Sequence, residues 1–300
     1  MQPRLQGVVQ CAGAVAGTGA RVHPKSPPPG PVLAAFGAAG AVARPLSGGE
    51  GRAWAVGDVV LKPVEDAVEA AWLADVLSGL HEDGFRVERP VRSAAGTWLV
   101  GGWSAWGHLS GVHDTSARRW PEVLRMGERL GAALRHLPRP GFLDARTHAW
   151  SIGDRVAWGE EPAEVHHAPL RALADRLLGH VRPDDAPNQV VDGDLTGNVL
   201  FAPGLAPAVI DVTPYWRPAR FCLAVVVVDA LLWHGAPARL VEELPGDEDR
   251  TSLLARAALF RLVASDRLAL GQERADRTAY LRAATADHER VLGVLDATAP

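Results

Sequence analysis

Lysine and asparagine are nearly missing from this chain. Among 31 basic residues only Lys25 and Lys62 are lysine, and Asn188 and Asn198 are the only asparagines. The arginine, alanine and glycine found instead are what a GC-rich bacterial genome encodes, so a retained Lys or Asn has a raised chance of being chemically required. Cysteine is equally scarce: Cys11 and Cys222 cannot make a disulfide framework. Cys222 sits in an apolar run where a buried reduced thiol is expected, which suits a reducing cytoplasm. No block of basic residues stands out against the net charge of −4, so the electrostatic footprint of a nucleic-acid binder is missing and no nucleic-acid partner is expected. No run is long enough to span a membrane either. The most apolar stretch, 221–233, falls short of the roughly 20 residues a span needs and contains Asp229, so it reads as a buried core helix. Residues 1–31 lack any helical or strand period and read as a disordered extension, with Gln6, Gly7 and Gln10 interrupting any signal-peptide core. Nothing in the sequence points to a protein partner.

What is present begins at Val32, with a short helix expected over 32–36. Residues 44–62 read as strand, glycine-rich turn, strand, Gly57-Asp58 hairpin turn and strand. In the first turn Ser47, Gly48, Gly49 and Gly51 allow backbone amides to approach an anion without interference from Cβ atoms. Lys62 ends the strand leaving that hairpin, where its ammonium can meet phosphates held under the loop. Apolar residues at 64, 68, 72, 73, 76, 77 and 80 have helical spacing. On that helix Glu69 is the chosen carboxylate to steady Lys62, with Glu65 and Asp75 as rivals. Strands are expected over 85–90 and 97–100. Gly101-Gly102 then reads as a flexible connection out of the sheet, with backbone groups around Val100 and Gly102 available to a purine. Beyond it the pattern turns helical: amphipathic stretches at 120–137, 170–181, 252–270 and 277–295 flank the apolar helix at 221–233. His166-His167 lacks the companions a metal site needs.

The stretch 189–211 sets Asp194, Asn198 and Asp211 around an apolar hairpin. Pairing of 199–201 with 208–210 would bring Asn198 and Asp211 to the same end. In one reading Asp194 accepts the proton of an acceptor hydroxyl, Asn198 and Asp211 hold Mg²⁺, and Lys62 with the glycine-rich turn holds nucleotide phosphates. In a second reading, Asp192-Gly193-Asp194-Leu195-Thr196 matches the Asp-x-Asp-x-Thr signature of haloacid-dehalogenase-like phosphatases, with Asp192 as nucleophile and Asp194 as acid. That chemistry wants a downstream lysine, and none follows Lys62.

Gly193-Asp194-Leu195-Thr196-Gly197-Asn198-Val199-Leu200, followed by Val209-Ile210-Asp211, resembles the catalytic loop and metal-binding aspartate of the aminoglycoside phosphotransferase and choline kinase-like family, relatives of protein kinases. The match looks closest to actinobacterial members with this loop and a Pro-Tyr-Trp-Arg-Pro segment, here 214–218. The resemblance implies an α+β, bilobal protein-kinase-like fold: a small antiparallel sheet with one helix over 32–103, and a mainly helical lobe over 104–300 carrying the catalytic hairpin. It further implies ATP or GTP and Mg²⁺ as cofactors, Asp194 as catalytic base, Asn198 and Asp211 as metal ligands, and a small-molecule acceptor. Tyr215, Trp216 and Arg217, directly after the metal aspartate, are the candidates for lining the acceptor pocket. Two departures stand out. Asp192 occupies the place of the family's usual histidine, and Asp194 lies one residue closer to Asn198 than in the kinase pattern. They support an alternative in which the chain is a catalytically impaired, kinase-like nucleotide-binding protein.

Overall fold

The computed structural model describes residues 26–46, 52–116, 119–246 and 250–298. Most of the proposed N-terminal extension, and the turn carrying Ser47, Gly48, Gly49 and Gly51, lie outside the described residues. In chain order the elements are α1 (Gly30–Ala35), β1 (Arg44–Pro45), β2 (Trp54–Val56), β3 (Val59–Pro63), α2 (Ala67–Gly79), β4 (Arg86–Val87), β5 (Pro90–Val91), β6 (Leu99–Val100), β7 (Trp103–Gly107) and β8 (Val112–His113). There follow α3 (Trp120–Leu134), α4 (Ala149–Ala157), α5 (Ala168–His180), β9 (Asn188–Asp192), β10 (Val199–Phe201), β11 (Ala208–Val209), β12 (Pro214–Pro218), α6 (Ala219–Trp233), α7 (Arg250–Leu270) and α8 (Arg274–Thr298). They divide into two compact units. The first runs to Gly79 and resumes over Glu88–His108; the second takes Leu80–Val87 and everything from Leu109 onward.

The first unit is an antiparallel sheet in the order β1-β2-β3-β7-β5, with β6 also on β7. Strand alternation sorts its side chains. Leu61 on β3 and Trp103 and Ala105 on β7 face a core shared with Trp54, Val56, Val32 and Phe36. Lys62, one residue on from Leu61, turns to the opposite face, where its register partner is Ser104. The hairpin expected at Gly57-Asp58 is present, with Val56 paired to Val59.

Gly101-Gly102 is not the exit from the sheet that the sequence suggests. It is the two-residue turn of the β6–β7 hairpin, with Val100 paired to Trp103. The two glycines have φ of 57° and 79°, and successive positive φ values are what a type I′ turn requires and what only glycine adopts without a Cβ penalty. β7 then runs back through the sheet, and the Gly102 carbonyl accepts the Val64 N–H at 2.8 Å. The sequence signal was turn chemistry, which marks a turn within a sheet as readily as one that leaves it.

The second unit is mainly helical. Residues 221–233 form a buried helix as expected: on α6 every residue from Phe221 to Leu232 is buried. α7 packs on it, and α3, α4, α5 and α8 surround the pair through contacts with α6 or α7. α4 lies in a stretch whose residues carry no helical expectation. Two small sheets carry the polar loops. β10 pairs antiparallel with β11 and β8, and β11 pairs parallel with β4, while β9 pairs antiparallel with β12 from Asp192↔Pro214 to Asn188↔Pro218. Among the described residues no helix is long and apolar enough to cross a membrane.

Candidate active site

In the second unit, two ladders bring the loop residues together. Val199 pairs with Val209, and the Ile210 N–H donates to the Asn198 carbonyl at 3.0 Å, so Asn198 and Asp211 stand at one end of the β10–β11 hairpin. The β9–β12 ladder ends with Asp192 opposite Pro214, and there the Gly193 N–H donates to the Thr213 carbonyl at 3.0 Å. Gly193 is required sterically. A Cβ at this position would come within 2.4 Å of Cδ2 of Tyr215, whose ring lies against the loop backbone.

Asp194 and Asn198 are in direct contact. The Asn198 amide Nδ2 donates to the Asp194 carbonyl at 2.8 Å and lies 3.4 Å from Asp194 Oδ2. With Nδ2 engaged there, the other end of the amide, Oδ1, is left as a hard oxygen donor. Asp211 adds a carboxylate from backbone at φ 53°, the only non-glycine residue with positive φ among those described. Aspartate tolerates this region better than most side chains, and such outliers concentrate at functional sites. An amide oxygen and a carboxylate are a suitable donor pair for Mg²⁺. Among the described residues no three His, Cys, Asp or Glu side chains cluster to hold a metal, so an ion here would complete its shell with phosphate and water, as Mg²⁺ usually does.

The other oxygen of Asp194 is held by a residue the sequence reading did not single out. Arg261 on α7 donates from Nη2 to Asp194 Oδ1 at 3.2 Å and to the Gly193 carbonyl at 3.1 Å. The same guanidinium makes a side-on pair with Asp229 of α6, from Nε and Nη2 at 2.7 Å each. Asp229 therefore supports the loop through an arginine. A lone acid inside the apolar run of α6 signals the need for a buried counter-charge, but nothing in α7, which carries Arg250, Arg256, Arg261, Asp266 and Arg267, says which residue supplies it. Charges so placed are buried only when paired, and Asp229 and Arg261 are 0% and 2% exposed.

Asp192 is buried beneath the loop. Its Oδ1 accepts the backbone N–H of Asp194 at 3.0 Å and of Thr213 at 3.2 Å, and its Oδ2 has no hydrogen-bond partner. Loss of water pushes its pKa up to about 7, with Asp194 and Asp211 adding to the rise and the two amides opposing it. Asp194 is lifted to about 6, chiefly by withdrawal from water and with help from Asp229 and Asp211, against the pull of Arg261. Enclosed and tied to backbone, Asp192 is badly placed to attack a phosphoester, which removes the geometric basis of the phosphatase reading.

Lys62 belongs to the first unit. Its Nζ donates to both oxygens of Glu88, at 2.8 and 2.6 Å, and lies 5.5 Å from the centre of the Trp106 ring. Glu88, 3% exposed, was passed over in the sequence because nothing in a Val-Glu-Arg-Pro stretch separates a strand-side carboxylate from a solvated one. It is a rival to the chosen Glu69, which sits in the first turn of α2. The earlier rivals have other partners: Glu65 pairs with Arg52, and Asp75 accepts the Trp98 indole N–H at 2.6 Å. Val100 and Gly102 belong to the β6–β7 hairpin described above.

Of the acceptor candidates, Tyr215 is buried, Trp216 is half-buried, and Arg217 is held by Asp154, at 2.9 and 2.6 Å, and by Glu160, at 2.5 and 2.9 Å. All three border a small, open cleft that Asp154 and Glu160 also line.

No protein-family model and no curated protein matches the sequence. Solved structures do match in fold. Spectinomycin phosphotransferase APH(9)-Ia, in complex with ADP and spectinomycin, superposes with a TM-score of 0.55 at 13% identity over 89% of this chain and 96% of that one. A choline/ethanolamine kinase family protein from Mesorhizobium loti gives 0.57 at 15% identity over 89% and 91%. The GDP complex of aminoglycoside 2′-phosphotransferase-IIIa gives 0.55 at 14% identity over 87% and 96%. The chain therefore has the α+β, kinase-like fold of these small-molecule phosphotransferases, with an antiparallel sheet toward its N-terminal end and helices beyond.

Proposed function

We propose that this protein is an ATP- or GTP-dependent, Mg²⁺-dependent O-phosphotransferase acting on a small hydroxylated molecule. The observation that carries the reading is the convergence of Asp194, Asn198 and Asp211 on two short ladders, within a fold shared with phosphotransferases solved in nucleotide complexes. Asp194 is the base: it orients the acceptor hydroxyl and takes its proton as the hydroxyl oxygen bonds to the terminal phosphorus and the bond to the leaving nucleoside diphosphate breaks. Asn198 Oδ1 and the Asp211 carboxylate would hold Mg²⁺, which neutralises charge on the phosphate oxygens. Lys62, steadied by Glu88, is the proposed phosphate contact, and the resemblance adds the turn at Ser47, Gly48, Gly49 and Gly51. Tyr215, Trp216 and Arg217 border the proposed acceptor cleft, with Arg217 shaping it as part of an ion-paired wall.

A thermal-shift series with ATP and GTP, with and without Mg²⁺, tests the nucleotide reading directly. A Mg²⁺-dependent rise in Tm that disappears in Asp211→Ala is expected; no response to either nucleotide would sink it. The binding-protein alternative draws on the buried Asp192 at the base of the loop. Nucleotide binding that is undiminished in Asp194→Asn, with no phosphate transfer by the wild type to any hydroxylated acceptor or to water, would favour that alternative.

A further inference from the structure

We propose that Arg261 is a positioning residue for the base, fixing one oxygen of Asp194 so that the other faces the acceptor hydroxyl. This rests on the phosphotransferase reading and adds to it a residue from α7, 67 positions after Asp194.

The guanidinium is over-determined on three sides. Nε and one hydrogen of Nη2 are taken by the two oxygens of Asp229, the parallel fork in which arginine and carboxylate bind most strongly. The rings of Phe260, Trp150 and Trp233 lie 4.5, 5.0 and 5.7 Å from the guanidinium carbon. Toward the loop, the second hydrogen of Nη2 is shared between the Gly193 carbonyl and Asp194 Oδ1, at 3.1 and 3.2 Å. Such a three-centre bond fixes direction while remaining weaker than the fork behind it. It leaves Asp194 Oδ2 on the side of Asn198, where the proposed metal donors stand. The Asp194 side chain keeps 32% of its surface open, while the side chain of the arginine holding it is 3% exposed. A rigid buried donor thus orients a partly exposed base. Rotation of the carboxylate would exchange the two oxygens and lose the alignment that proton transfer needs.

The test uses the full chain and takes slow hydrolysis of MgATP, with water as acceptor, as its catalytic readout; MgATP-dependent thermal stabilisation reports binding. Asp229→Leu with Arg261→Met removes the buried pair together, so that no lone charge is left to unfold the protein. The expected result is a folded protein with an unchanged MgATP shift and KM, and kcat lower by about 100-fold, the scale of a misplaced catalytic group. Arg261→Lys retains the charge without the fork and should fall between the double variant and wild type. Hydrolysis by the double variant within about twofold of wild type overturns the proposal, and so does parallel loss of binding and hydrolysis in a folded protein. If the double variant does not fold, Arg261→Lys decides: wild-type kcat there overturns it, and reduced kcat at unchanged KM supports it. A wild type that neither binds nor hydrolyses MgATP fails the phosphotransferase reading itself and takes this inference with it, a result distinct from activity that ignores Arg261.

Discussion

The two groups of charged residues singled out above are built differently. Lys62 and Glu88 in the first unit are 26 residues apart, and Lys62 is presented by a strand whose alternation already fixes the face it occupies. In the second unit, the loop from Asp192 to Asn198 depends on partners from further along the chain: Thr213 just before β12, Tyr215 under Gly193, and Arg261 tied to Asp229. Regular pairing is sufficient to aim a lysine, whereas an irregular loop carrying two acids must be held from behind, because each acid left without donors or counter-charge is costly to bury.

Removing one partner from each group tests that contrast most strongly. Arg261→Gln strands Asp229 as an uncompensated buried charge and should cost roughly 3–5 kcal/mol in urea unfolding. Lys62→Met removes the ammonium from Glu88 and should cost about 1–3 kcal/mol, with hydrogen-exchange protection of β3 and β7 retained. Equal losses in the two variants would erase the distinction.

Asp192 sharpens the comparison through pH. The unfolded chain releases this proton near the ordinary aspartate value of about 4, whereas the folded protein keeps it to about 7. Between those values the folded state binds more protons, so stability falls as pH rises through the window and remains lower above it. Asp192→Asn keeps the acceptor for the two loop amides and does not titrate. It should match wild type near pH 4 and exceed it by roughly 4 kcal/mol at pH 8 in paired urea titrations. An unchanged pH slope would show that Asp192 is ionised in the fold at neutral pH. A smaller effect is expected from Gly193→Ala, which forces the loop off the Tyr215 ring and should lower stability by about 1–3 kcal/mol. Near-UV circular dichroism would register the displaced tyrosine.

Much of this was legible in the sequence. The β10–β11 hairpin, with Asn198 and Asp211 at its end, followed from two short apolar runs around a Pro-Gly turn, and the buried α6 from its unbroken apolar character. Lys62 was marked by its rarity and by its place at a strand end. What escaped were partners fixed by tertiary packing. Arg261 is one of many arginines in an arginine-rich chain, so its identity carried no signal, and Glu88 precedes a strand too short to show a period. Gly101-Gly102 was misassigned because dihedral preference is local, whereas leaving or re-entering a sheet is decided by the strand that follows. The segment Pro214–Pro218 pairs with β9 although proline usually breaks strands, because its two prolines occupy the strand ends.

The tip of the β10–β11 hairpin has a practical consequence. Gly204 sits in a turn closed by the Leu205 N–H bond to the Ala202 carbonyl at 3.2 Å, beyond both ladder rungs, and Leu205 beside it is 52% exposed. A reporter peptide or fluorophore spliced in at 203–204 would extend a solvent-facing bend without touching a rung. The hairpin thus provides an attachment port on the same element that presents Asn198 and Asp211, from which movement of the loop could be followed by fluorescence as nucleotide is added.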